Sequence, residues 1–294
     1  VSVAALIDEA IAEARARDPA SIPLIGVAGA QGSGKSYHCR AYAAAHPRVA
    51  HFSMDDVYFT KAERAQLAKR FHPLFATRGP PGTHAVRLAL ATIAVLRTAP
   101  PPLEGEGVGG WGELVQALDH TDVVTPTPAP PPSRGRGYVA LPRFDKASDD
   151  RAPEHAWPRF TGRPDAILFD GWCLGALPDE FGAAPINALE AKEDADGRWR
   201  TQVNKDLAER YQPFFATFDA VIYLKAPNWQ IVRTWRGQQE RETLARPLTA
   251  EDEARLDRFV MHYERLTRAM MAGRHTASVI VHLDEARNVM RVEA

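Results

Sequence analysis

The chain has 294 residues, 45% of them hydrophobic, enough to bury a sizeable core in one large α/β domain or two small ones. Its 36 basic and 37 acidic side chains leave a net charge of −1 at pH 7, which is not the basic footprint of a nucleic-acid-binding protein. Cys39 and Cys173 stand in unrelated contexts without CxxC spacing, which argues against a disulfide framework or a structural zinc site.

Ser2 precedes Val3, Ile7, Ala10, Ile11 and Ala14 at helical spacing, the pattern of a capped amphipathic helix that packs on a core. Asp8, Glu9, Glu13, Arg15 and Arg17 break up the apolar residues, so the segment does not read as a secretory leader. No run of about 18 apolar residues occurs anywhere, and the expectation is a cytoplasmic protein without membrane contact.

An apolar strand over 24–28 then feeds a glycine-rich loop and a helix over 35–45. The loop, Gly29-Ala30-Gln31-Gly32-Ser33-Gly34-Lys35-Ser36, fits G-x-x-x-x-G-K-[ST] between a strand and a helix. Backbone N–H groups and a helix N-terminus offer fixed positive dipoles to a dense phosphate anion. Lys35 adds a full charge near the β and γ phosphates of ATP, and Ser36 offers a hydroxyl to Mg²⁺. Gly29, Gln31, Gly32, Ser33, Gly34, Lys35, Ser36 and Tyr37 form the expected nucleotide-binding set.

Further strands are expected over 49–54, 166–170, 220–224 and 278–283, alternating with helical sequence, hence a mainly parallel sheet of about five strands covered on both faces. Thr60 with Glu63, and Thr249 with Asp252, read as capping boxes, and Thr83 as the cap of a helix over 84–97. Eight of the 23 prolines fall between 99 and 137, which reads as a long loop or mobile insertion, with a short helix over 114–118 inside it. The expected whole is a three-layer α/β/α fold, one domain over 1–294.

Ser53-Met54-Asp55-Asp56-Val57-Tyr58 puts two carboxylates at the C-terminal edge of the second strand, where ligands of open α/β sheets bind. A carboxylate there can accept or orient the proton of a hydroxyl attacking ATP, and Asp55 is the expected base. The segments Ser53 to Thr60 and Arg78-Gly79-Pro80-Pro81-Gly82-Thr83-His84 resemble the glycerate kinase family, part of a wider group with phosphoribulokinase, uridine kinase and pantothenate kinase. Leu141 to Lys146, Asp149 to Arg151, Phe169 to Gly175, Asn187 and Val203-Asn204 extend the resemblance to nearly the whole chain outside the proline-rich stretch.

The resemblance implies an ATP-dependent kinase acting on a hydroxyl of a small, glycerate-like metabolite. It aligns Asp55 with the group's catalytic aspartate and Asp170 with the second acidic, Mg²⁺-binding position. It puts Tyr58, Arg78, His84, Asp145, Lys146 and Arg151 on the acceptor side. One departure stands out: the family motif continues after His84 with an aspartate, and this chain has Ala85. The departure leaves open another small acceptor, such as a nucleoside, vitamin precursor or secondary metabolite, or a nucleotide-holding regulator.

Arg233 and Arg236, three residues apart, share a helix face in a segment at about 227–248. Related kinases carry a lid near this point, and Arg236 is the expected catalytic arginine at the transferring phosphoryl group. Trp229 and Trp235 read as core or nucleotide-edge packing, and His262 as part of an apolar stripe with Phe259, Tyr263, Leu266 and Met270.

Overall fold

The computed structural model describes residues 1–99, 134–135, 137–179 and 184–294. Most of the proline-rich stretch, including the helix expected over 114–118, lies outside the described residues.

The strand–loop–helix start folds as its pattern dictates. Helix α1 (Val3–Arg17) is capped by Ser2, whose hydroxyl accepts the Ala5 N–H. Strand β1 (Leu24–Gly29) is buried along its whole length and runs through the loop into α2 (Lys35–Ala45). Strand β2 (Val49–Ser53) follows and ends in a 3-10 turn, Met54–Val57. Both expected capping boxes form, at Thr60 ahead of α3 (Lys61–Arg70) and at Thr249 ahead of α9 (Ala250–Met271). Helix α4 spans Val86–Thr98.

Beyond α4 come the short strands β3 (Arg134–Gly135), β4 (Tyr138–Ala140), β5 (Phe144–Asp145), β6 (Asp150–Arg151) and β7 (Arg159–Thr161), and then β8 (Ala166–Gly171). Helices α5 (Ala188–Glu193), α6 (Arg198–Asp206) and α7 (Gln212–Phe215) lead to β9 (Ala220–Lys225) and α8 (Trp229–Leu244). Strands β10 (Val279–Leu283) and β11 (Val289–Glu293) follow α9.

The main sheet has the order β11-β10-β9-β1-β8-β2, parallel except for β11. Apolar side chains fill both of its faces. One core joins α1, α2 and Trp235 of α8 to the sheet, and the other joins α4, the segment 207–218 and α9. Central β1, flanked by β8 and β9, delivers the glycine loop to the same edge at which β2 delivers Asp55 and β8 delivers Asp170.

Three expectations need correction. The sheet has six strands, not five: the edge strand β11 carries Val289, Met290 and Val292 without clean alternation, and its neighbour turn supplies the order. That turn is tied by Asp284, whose carboxylate accepts from the Asn288 backbone and side-chain N–H groups. Two small antiparallel sheets, β3-β4-β7 and β5-β6, lie outside the main one and were not expected. Thr83 does not cap α4. Its hydroxyl donates to Pro80 O and accepts from Gly79 N, while Phe59 N donates to Thr83 O and Ala85 N to Val57 O. These bonds hold 83–85 extended, so the helix starts at Val86 with Ala85 in the cap position and no side-chain cap.

Candidate active site

The donor side is built from backbone. Gly32 sits at φ 78 in the left-handed region, and a Cβ there would stand 2.5 Å from Trp235 Cβ, so only glycine lets the loop rest on α8. From the other side Arg287 Nε donates to Gly32 O at 2.6 Å, with its guanidinium over the Trp235 ring. The buried Ser33 hydroxyl and both amide atoms of Gln31 have no partner within the protein, and phosphate oxygens and an added donor are what such atoms lack. Tyr37 is exposed at the first turn of α2, edge-on to His38.

Lys35 is partly buried with Nζ donating to Ala30 O at 3.5 Å. Burial lowers its affinity for a proton, and the carboxylates of Asp170 and then Asp55 pull the other way. The phosphate lysine and the expected base therefore share one field. Ser36 Oγ donates to Asp170 Oδ2 at 2.5 Å, and His51 Nε2 meets Asp170 Oδ1 at 2.8 Å. Asp170 is fully buried, and with Cys39 and His51 it presents ligand atoms within 4.8 Å of one another. The hydroxyl and carboxylate expected to hold Mg²⁺ thus touch, as a divalent cation site at a P-loop requires.

The acceptor side is built from side chains. Asp55 lies in the 3-10 turn that Ser53 starts, its backbone N–H donating to Ser53 Oγ and the Asp56 carboxylate accepting from Ser53 N. Tyr58 OH donates to Asp55 Oδ1 at 3.1 Å and Lys146 Nζ to Oδ2 at 2.7 Å. Burial would raise the Asp55 carboxyl, but the Lys146 and Lys35 ammonium groups outweigh it and hold it well below the usual carboxylate range. Neighbouring Asp56 goes the opposite way, pushed up to about 6 by burial despite Arg143.

His84 stacks on Tyr58 with ring centroids 4.4 Å apart. Its Nδ1 lies 2.7 Å from Tyr211 OH, which also accepts from Gly82 N; a Tyr211 proton given to Nδ1 puts the ring N–H on Nε2. That Nε2 is buried without a partner, and burial lowers the imidazole to about 3, so His84 is neutral. It can donate to an acceptor oxygen but carries no charge to bind an anion.

The other expected acceptor residues separate into two groups. Arg78 forms an ion pair with Asp149 and lies over Phe144, and Arg151 donates to Tyr58 O and pairs with Glu63 at 3.6 Å. Both guanidinium groups hold loops, with Arg151 Nε left buried and without a partner. Asp145 is exposed and turned on its own hairpin, accepting from Ala147 N, Ser148 N and Ser148 Oγ. Lys146, from the same hairpin, reaches Asp55. Arg236 pairs with Glu240 at 2.7 Å and lies over Phe259, the neighbour of Tyr263, while Arg233 is bound to Glu253 and Asp257 of α9. Tyr263 OH donates to Arg78 O, so α9 reaches the acceptor loop.

Sequence reasoning missed four contributors. Arg64 is fully buried and donates to Phe59 O, Ala76 O and Asp149, fixing the loop and hairpin on either side of the cleft. Nothing separates it in the sequence from Lys61, Lys69 and Arg70 around it. Arg287 and His51 act across long sequence separations, and Tyr211 falls in an aromatic run that reads as core. His262 is packed as expected, buried against Trp199. A separate cavity of about 330 Å³, lined by Trp199, Arg200, His262 and Arg265 among others, borders the back of Pro80, Pro81 and Trp172 and includes none of Lys35, Asp55 or Asp170.

No protein-family model matches the chain. It is 28% identical over 254 residues to the uncharacterized kinase mug58 of Schizosaccharomyces pombe, covering 82% of this chain and 78% of that protein. It is 26% identical over 243 residues to the chloroplastic D-glycerate 3-kinase of Arabidopsis thaliana, covering 79% of this chain but spanning only 44% of that longer protein. Among solved structures, D-glycerate 3-kinase from Cryptococcus neoformans var. grubii superposes with a TM-score of 0.69 at 19% identity, over 100% of this chain and 99% of that one. The YGR205w protein gives 0.65 at 21% identity over 98% and 95%. The chain shares their fold, a parallel sheet carrying a P-loop with helices on both faces.

Proposed function

We infer that the chain is a P-loop kinase, kin to the D-glycerate 3-kinases, that transfers the γ-phosphate of ATP to a hydroxyl of a small glycerate-like hydroxy acid. One observation carries the reading: Asp170 bonds Ser36 of the phosphate loop through its carboxylate and Ser53, two residues before Asp55, through its carbonyl, so donor loop and base share one edge of the sheet. Similarity to kinases over about four-fifths of the chain supports it.

The loop N–H groups, Ser33 and Lys35 hold the phosphates, and the His84 Nε2–H is a donor for an acceptor oxygen. Asp55 accepts or orients the proton of the attacking hydroxyl. Ser36 and Asp170 would hold Mg²⁺, which when bound neutralises charge on the phosphates. The segment at about 227–248 is the proposed lid, with Arg236 exchanging Glu240 for the transferring phosphoryl group as it closes. We place the reaction in the cytoplasm, in keeping with two buried free cysteines.

ADP release measured across hydroxy acids and polyols tests the reading. Turnover of glycerate or a close analogue is expected, and Asp55→Asn should lower it by about 100- to 10,000-fold, the usual contribution of a positioned proton acceptor. Full activity in Asp55→Asn removes that residue as the base. An acceptor outside the hydroxy acids is favoured by Ala85 and by the proline-rich stretch, of which Ala85 lies among the described residues. Position 85 is the cap of α4, where an aspartate binds helix N–H groups, so its replacement bears first on the helix.

A further inference from the structure

The cations around Asp55 are unequally committed. Arg78 is held by Asp149, Arg151 by Tyr58 O and Glu63, and Lys35 faces the phosphate loop. Arg143 reaches Asp56 at 3.5 Å, not Asp55. Lys146 alone of these places its ammonium on the base, 2.7 Å from Oδ2, with its side chain 61% exposed. The hairpin beneath it is fixed. Asp145 ties the turn from one end, Arg64 and Arg78 hold Asp149 at the other, and Asp150 accepts from Lys61 N. A rigid base under a flexible four-carbon stem lets the ammonium travel several ångströms without moving backbone.

Resting on the kinase reading above, we propose that Lys146 is a substrate-operated latch: it covers Asp55 until the carboxylate of an anionic hydroxy acid draws the ammonium away, exposing the base to that acceptor's own hydroxyl. Oδ1 accepts from Tyr58 OH and Oδ2 from Lys146, so an incoming hydroxyl that is to give its proton to Oδ2 competes with an ammonium already seated there. A neutral polyol has no charge to exchange for Asp55. A hydroxy acid does, and an ion pair lost to Asp55 is replaced by one with the substrate.

The transfer then balances with the residues at hand. The hydroxyl proton passes to Asp55 Oδ2, and its oxygen bonds to the γ-phosphorus. The bond from that phosphorus to the bridging oxygen breaks, leaving its electron pair on ADP. Lys146 keeps its proton throughout and ends paired with the product carboxylate. Water carries no anion to release the latch, so the covered base also guards ATP against hydrolysis.

Two measurements on the full chain decide it: kcat/KM for glycerate against glycerol, and ATP hydrolysis without acceptor, each in wild type, Lys146→Met and Lys146→Arg. The expected result for Lys146→Met is a loss of roughly 30- to 100-fold on glycerate, the size of a charge-assisted pair removed, with a several-fold gain on glycerol, for which the base is now uncovered. Acceptor-free hydrolysis should rise several-fold, which a merely structural lysine would not produce, and Lys146→Arg should restore the preference for the acid. Equal losses on both acceptors with unchanged hydrolysis overturn the latch while the kinase reading stands. A wild type whose ADP release is not raised by any hydroxy acid or polyol overturns both.

Discussion

The donor and acceptor halves of the cleft are made of different material. The proposed donor half is lined by main chain and by polar atoms without partners, at Gly32, Ser33 and Gln31, over a loop wedged between Trp235 and Arg287. The proposed acceptor half is lined by paired side chains, Arg64 and Arg78 with Asp149, Lys146 with Asp55 and Tyr211 with His84. The contrast teaches where specificity resides. A backbone cradle reads any triphosphate in the same way, whereas the ion-pair lattice opposite can be re-paired by a particular substrate.

That comparison can be broken. The largest effect belongs to the donor side: Lys35→Met should cost about 100- to 1,000-fold in kcat, the usual loss for a charge stabiliser of the transition state. The loss should be the same for every acceptor in steady-state assays. A loss that depended on the acceptor would show the halves to be one unit.

The next effect is on the acceptor side and on stability. His84 and His262 are lowered by burial from 6.5 to about 3 and about 4, so the folded chain holds them neutral while the unfolded chain protonates them. Their contribution is complete above pH 6.5 and is lost as pH falls toward those values. Asp56, raised to about 6, works against this by taking a proton in the folded state first. His38 and His275, also lowered by burial, add to the histidines. Denaturant melts at pH 7 and pH 5 should therefore differ by about 2 kcal/mol, the more stable at pH 7. A chain equally stable at both values would mean that the histidines are charged in the fold.

The smallest effect sharpens the reading of Ala85. Because Ala85 stands at the N-cap of α4 without a side-chain bond, Ala85→Asp should stabilise the chain by about 1 kcal/mol in urea melts. A large gain in acceptor affinity without a gain in stability would return position 85 to the substrate.

How much could be read beforehand follows the same division. The P-loop, all five parallel strands of the main sheet and both capping boxes declare themselves through local pattern: glycine spacing, apolar runs and S/T-x-x-[DE]. Asp55 and Asp170 could be found because each ends an apolar strand. Arg78 and Arg151 have the right charge for an acceptor anion, yet their partners Asp149 and Glu63 lie 71 and 88 positions away, and pairings at that range leave no periodic trace. Arg64 illustrates the limit most sharply: it looks like a surface charge on a polar helix and is wholly buried.

The bond from Arg287 to Gly32 O joins the last hairpin to the loop delivered by the first strand, 255 residues earlier. A motif that is local in sequence is thus braced from a hairpin far along the chain, so the set of the loop depends on whether that hairpin has docked.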